Sequence, residues 1–331
     1  MRKYLLFLFV VMLCCSKNYC QQKKGYVEKT DPALDAIIDS QAKVEIIADG
    51  FDWCEGPVWV ESEKMLLFSD VPQNIIYKWT EKKGKEIYLT PSGYTGSIPR
   101  GGEKGSNGLI LDKNGRLIIC MDGDRRVAAM NAGTKTPQPV FTTLTDNYKG
   151  KKFNSPNDLV YNGNGDLLFT DPPYGLEKNM DDPLKELSFQ GVYKIKKTGG
   201  LVLLLDSVSR PNGIGISSDQ KTLIIANSDP LKPYWYAYDF GKGDSLIHPR
   251  IFYDASEAAK TEAGMPDGLK IDKKGNVFAT GPGGVWIFNK TGKLLGKIKF
   301  DGLVSNCAFS ADEKTLYMTA DMYLLRIQLR H

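Results

Sequence analysis

From about residue 44 onward the chain repeats one pattern: a turn-rich tetrapeptide followed by a short apolar or β-branched run. Glu61-Ser62-Glu63-Lys64 precedes MLLFSD, Asp112-Lys113-Asn114-Gly115 precedes RLIICMD, and Asn162-Gly163-Asn164-Gly165 precedes DLLFTD. Ser218-Asp219-Gln220-Lys221, Asp272-Lys273-Lys274-Gly275 and Ala311-Asp312-Glu313-Lys314 precede TLIIANS, NVFATG and TLYMTA. The central apolar residues Leu66, Leu117, Leu167, Leu223, Val277 and Leu316 are separated by 51, 50, 56, 54 and 39 residues. Each copy reads as two strands joined by a tight turn, and strand-like runs such as Gly191-Val192-Tyr193-Lys194-Ile195 fill the gaps. Six repeats of four strands predict an all-β fold, a six-bladed β-propeller with four-stranded blades. Segments with a 3.6-residue period long enough for a bundle or an α/β sheet are missing. The sixth copy runs out of chain one strand short. Residues 43–48 are therefore expected to supply its outermost strand and close the ring, giving a propeller over 43–331, with residues 21–42, rich in Lys, Gln and Asp, as a polar tether with little core.

Residues 1–20 stand apart. Arg2 and Lys3 precede the apolar stretch Leu5 to Leu13, which is the layout of a secretory signal and too short to span a bilayer. Export to the periplasm or cell exterior is expected. No small-x-small cleavage site is present, and Cys15-Ser16 loosely resembles a lipoprotein acceptor, so a lipid anchor is the alternative and the only membrane attachment expected. Cys14, Cys15 and Cys20 lie in this segment, leaving Cys54, Cys120 and Cys307 as small apolar residues of the body, too few and too far apart for a disulfide framework or a thiolate metal site. With 43 basic against 39 acidic residues the net charge is +4, which leaves no polyanion footprint, and nucleic acid is not an expected partner.

Ten or eleven residues before each marker stands an acid or an amide: Glu55, Asn107, Asn157, Asn212, Asp267 and Asn306. In a propeller the first strand of each blade lines the axis, so these positions converge at one end of the channel. Asn-Gly, Asp-Gly and Pro-Asn are also ordinary turn dipeptides, and any single copy reads more readily as a turn. Six in register, with Glu55 a poor turn former, point to the oxygen ligand set of a hard cation: Ca²⁺ first, then Mg²⁺ or Mn²⁺, with Zn²⁺ less natural. Glu55 and Asp267 would balance its two charges. The two histidines, His248 and His331, fall outside these positions, which argues against a histidine-dependent nucleophile.

Glu55-Gly56-Pro57-Val58-Trp59, Ser155-Pro156-Asn157-Asp158-Leu159, the segment from Phe169 to Gly175 (FTDPPYG), Arg210-Pro211-Asn212-Gly213 and Met265-Pro266-Asp267-Gly268 together resemble the gluconolactonase and regucalcin family, in its bacterial gluconolactonase-like branch. The resemblance implies a lactonase acting on a small sugar lactone. Glu55, Asn157, Asn212 and Asp267 correspond to metal ligands, Asp267 to the general base, and Asn157 to a residue touching both the metal region and substrate. Asp158 is the alternative base. Where the regucalcin pattern has Arg two residues before its second asparagine, this chain has Ser155. Strand polarity adds Asn107, Asp158, Asp171, Tyr174, Arg100 and Asn306 as expected substrate contacts, with residues 91–105 and 172–190 as walls. A phosphotriesterase or arylesterase on the same metal site, and a binding propeller with a structural cation, are the competing readings. A monomer or weak dimer is expected.

Overall fold

The computed structural model describes residues 25–330. The proposed signal segment and residues 21–24 lie outside them, and no described helix is long and apolar enough to cross a membrane.

Six antiparallel four-stranded sheets follow one another along the chain. Their innermost strands are Cys54–Val60, Ser106–Leu111, Leu159–Tyr161, Pro211–Ile216, Leu269–Ile271 and Asn306–Phe309. The second strands, Met65–Asp70, Leu117–Met121, Leu167–Asp171, Thr222–Asn227, Val277–Gly281 and Thr315–Ala320, are the apolar runs that mark the repeat. Between each inner pair the turn places one residue in the left-handed region, at Lys64, Gly115, Gly165, Gln220, Gly275 and Glu313. Side chains hold that turn. Asp112 Oδ1 accepts the amides of Asn114 and Arg116, Asn162 Oδ1 those of Asn164 and Asp166, and Ser310 Oγ that of Thr315.

The middle residues of the second strands are apolar on both faces because each blade is packed on both sides. Leu67 faces the cluster shared with the second blade, alongside Leu109 and Ile119, whereas Leu66 and Phe68 face Tyr317 and Leu324 of the sixth. Ile118 and Cys120 pack on Leu159 and Phe169, Leu168 on Ile214 and Ile225, and Ile224 on Leu269 and Ala279. One apolar cluster therefore fills each of the six junctions. Cys54, Cys120 and Cys307 are free and buried within them.

The closing strand is where the pattern placed it. Glu45–Asp49 pairs antiparallel with Tyr323–Gln328, Glu45 opposite Arg326 and Asp49 opposite Tyr323. The stretch before it is no tether. Gly25–Lys29 adds a fifth strand to the fifth blade beside Leu294–Phe300, and a 3-10 turn at Pro32–Ala36, capped by Asp31, follows. Leu34, Ile37 and Ile38 are buried among Val285, Ile298, Leu316 and Ile327. With Val27 of the added strand, four apolar side chains carry this segment into the core, too few to show a period against its polar composition. Leu34→Ala should lower stability in urea by about 2–5 kcal/mol, the cost of a fully buried leucine. A loss below about 0.5 kcal/mol, the surface value, would mean that the segment does not belong to the core.

Candidate functional site

The donor positions are built by a break in strand pairing. In the first, second and fourth blades the register slips between Glu55 and Val58, Ser106 and Leu109, and Pro211 and Ile214. In the third and fifth, two residues oppose one. Asn157 N donates to Thr170 O and Thr170 N to Asp158 O, while Asp267 N donates to Thr280 O and Thr280 N to Gly268 O. Such bulges re-aim a side chain. Where a glycine follows the donor it is demanded by contact: a Cβ at Gly56 would lie 2.0 Å from Asn107 O, and one at Gly213 2.1 Å from Asp267 O.

Hydrogen bonds tie these bulges from blade to blade around the whole ring. Ser69 Oγ donates to Asn107 O at 2.8 Å, and Gly108 N to Asn157 O at 2.7 Å. Thr170 Oγ1 donates to Asn212 O at 2.7 Å, and Ser228 Oγ to Pro266 O at 2.7 Å. Thr280 Oγ1 donates to Ser305 O at 2.8 Å and Ser305 Oγ to Cys54 O at 2.6 Å, which returns the belt to its start.

Glu55, Asn107, Asn157, Asn212 and Asp267 meet in one cavity of about 290 Å³ at this end of the axis. Glu55 is buried, and its Oε2 accepts Gly56 N at 2.9 Å and Asn306 Nδ2 at 3.3 Å. Burial, with a smaller contribution from the Asp158 charge, pushes its carboxyl up to about 8. Asp267 is pushed well above the carboxylate range by burial and by Glu55, Glu103 and Asp158, and its Oδ1 has no hydrogen-bond partner. Asn212 Nδ2 donates to Ser228 Oγ at 3.0 Å and Asn107 Nδ2 to Asp122 Oδ2 at 3.3 Å, with Asn107 Oδ1 unpartnered. Among the described residues no three His, Cys, Asp or Glu side chains cluster as a metal site; the set here is two carboxylates and amides. That composition, with buried oxygens left unpartnered, fits a hard divalent cation.

Four expected contacts belong elsewhere. Asp171 is fully buried, with Oδ1 accepting Ser155 N at 2.8 Å and Oδ2 accepting Asn154 N at 2.9 Å, so it fixes the backbone that delivers Asn157. Asp70 does the same for Asp52 and Trp53, and Asn227 for Arg210. Burial raises Asp171 to about 7. Arg100 donates to Gly123 O at 2.9 Å and to Gly175 O, and thereby braces the two walls against each other. Asp158 and Asn306 lie behind the donors, where Lys270 Nζ is 3.5 Å from Asp158 Oδ2 and 3.2 Å from Asn306 Oδ1. His248 pairs with Asp239 on the surface.

Both expected loops do border the cavity, through Tyr174 and Glu103. Glu103 was not singled out by the sequence pattern because it belongs to no repeat; burial pushes its carboxyl up to about 7. Arg210 and Met265 were missed too, although each, like Trp53, stands two residues before a donor, so the same register extended by two positions finds them. Of the tryptophans, whose faces could stack on a sugar ring, Trp53 lines the cavity, Trp235 and Trp286 are core, and Trp59 stacks on Tyr317 at 5.4 Å.

Over residues 53–321 the sequence matches the family model described as SMP-30/Gluconolactonase/LRE-like region. It is 38% identical over 312 residues to the gluconolactonase of Zymomonas mobilis, covering 92% of this chain and 86% of that protein. It is 26% identical to a pentonolactonase of Haloferax volcanii, covering 80% of each. A gluconolactonase structure from Xanthomonas campestris superposes with a TM-score of 0.78 at 28% identity, covering 92% of this chain and 95% of that one. With the family's region spanning the ring from the first donor strand to the last blade, the chain belongs to the SMP-30/gluconolactonase/LRE-like family.

Proposed function

We propose that the protein is a lactonase that opens the ring of a small polyhydroxy lactone with the help of a divalent cation. The observation that carries this reading is the convergence of Glu55, Asn157, Asn212 and Asp267 on one cavity in which Asp267 Oδ1 has no protein partner. Those four residues would hold the ion, Ca²⁺ first among Ca²⁺, Mg²⁺, Mn²⁺ and Zn²⁺. A bound cation would supply polarisation of the lactone carbonyl and stabilisation of the oxyanion. Family membership and the similarity to named gluconolactonases support the substrate class.

The chain's own groups do the rest. With one carboxylate oxygen given to the ion, Asp267 would take a proton from the attacking water through the other. Asp158 is a poorer base, because Lys270, Asn306 and the Leu159 amide already engage its oxygens and it does not line the cavity. Trp53 and Tyr174 offer ring faces and edges to the sugar carbons, and the half-buried Arg210 offers donors to its hydroxyls.

Removing divalent ions with a chelator should abolish hydrolysis of gluconolactone, and Ca²⁺ or another of the four should restore it. Hydrolysis at an unchanged rate in chelator would leave the cation with a structural part at most. Asp267→Asn should cut kcat by about 100-fold or more, as removal of a general base does. The apo protein carries a further signature. Glu55 has an ordinary value of 4.5 and a folded value of about 8, so between them the folded state holds a proton that the unfolded chain has lost. Stability of the cation-free protein therefore falls as pH rises through that window, and added cation raises Tm more at the upper end than at the lower. Thermal melts across the window, with and without cation, check both slopes.

A further inference from the structure

Opening a sugar lactone ends in a step that the donors described above do not serve. Once the tetrahedral oxyanion collapses, the ring C–O bond breaks and its electron pair leaves on an aliphatic oxygen about as basic as hydroxide. Such a group departs readily only if a proton reaches it as the bond breaks. Asn107, Asn157 and Asn212 are amides with no proton to transfer, and Asp267 faces the water.

We propose that Glu103 is the general acid that protonates the departing ring oxygen. The inference rests on the lactonase reading and adds a residue to it. Glu103 lines the cavity with Glu55 and Asp267 but comes from a different element, the loop of residues 91–105 that forms one wall. Its carboxyl has no hydrogen bond or ion pair with another described residue, so nothing in the protein occupies it. The backbone on both sides of it is pinned. Arg100 donates to Gly123 O and Gly175 O, and Gly101 N donates to Glu177 Oε1 at 2.9 Å. On the other side Gly105 N donates to Val71 O at 2.8 Å, and Gly105 O accepts Asp122 N at 3.1 Å. An acid held on a braced loop and left without a partner is placed for substrate. Burial raises its carboxyl, which favours the protonated form that a general acid needs.

The protons balance. Asp267 takes one from water as the oxygen–carbon bond forms, and Glu103 gives one to the ring oxygen as the ring bond breaks. The product is a hydroxy acid. Asp267 then releases its proton to solvent, Glu103 regains one from solvent, and ionisation of the product leaves one net proton per lactone opened. With Glu55 and Asp267 given over to the cation, Tyr174 is the other cavity group with a transferable proton, and burial holds its hydroxyl well above the ordinary range, which makes it the weaker acid.

The test varies the leaving group in the full-length enzyme with cation present. Wild type, Glu103→Gln, Glu103→Ala and Tyr174→Phe are compared on gluconolactone, whose leaving oxygen is aliphatic, and on an aryl lactone or phenyl gluconate, which expels a phenolate whose conjugate acid has a pKa of about 10. For Glu103→Gln the expected result is a fall in kcat of about 100-fold on gluconolactone, with KM and the aryl substrate changed by less than about threefold. Formate should restore part of the Glu103→Ala turnover on gluconolactone, and calorimetry should find the cation affinity of both Glu103 variants unaltered. An equal loss on both leaving groups, a KM effect alone, a lost cation affinity, or a larger loss in Tyr174→Phe each overturns the assignment. A wild type that opens no lactone with any of the four cations sinks the lactonase reading and this inference together, whereas an active wild type matched by Glu103→Gln sinks the inference alone.

Discussion

The belt of hydrogen bonds joining neighbouring bulges is the constraint on which the site depends. A β-bulge leaves backbone groups without their regular partners, and a buried carbonyl without a donor is costly. Here the hydroxyls of Ser69, Thr170, Ser228, Thr280 and Ser305, with the amide of Gly108, supply donors across all six junctions. The same bonds that satisfy the bulges close the ring and fix the spacing of the side chains between them. Fold and site are therefore one construction, and the donor positions move only if a junction moves.

Within that frame the protein accepts a cost at its centre. Glu55 is buried and Asp267 half-buried, and they face each other's charge without a cationic side chain among their hydrogen-bond partners, while the Lys270 ammonium is engaged behind them by Asp158 and Asn306. Concentrating unpaired oxygens in one cavity lowers the stability of the empty fold and is repaid by what binds there. The apolar clusters at the six junctions, continuous around the ring, provide the stability that tolerates it.

Much of this was legible in the sequence, and the rest was not, for physical reasons. The six-fold register showed because each repeat needs the same left-handed turn, the same doubly packed apolar strand and an oxygen donor at the same offset. The closing strand was legible because a ring built by counting leaves one place empty. Asp171 and Arg100 misled because residue type announces that a side chain will pair but not with what. A carboxylate accepting two backbone amides, as Asp171 does, looks in sequence like one aimed at substrate. Glu103 was invisible because its place depends on how a glycine-rich loop is braced by another loop more than seventy residues away, at Gly175 and Glu177. The segment carrying Val27, Leu34, Ile37 and Ile38 was misjudged because four anchoring side chains suffice when the receiving surface is already formed.

That segment also orders assembly in time. Gly25–Lys29 and Glu45–Asp49 are made first, yet their partners, Leu294–Phe300 and Tyr323–Gln328, are made last. A chain threading through a ribosome tunnel or a translocation pore with its amino end leading would have both early strands waiting, unpartnered, for almost its entire length to follow. Loop closure over such a separation comes late and all at once. The toroid would thus lock as a unit once the sixth blade is complete, and the acidic cavity would come into being only at that moment.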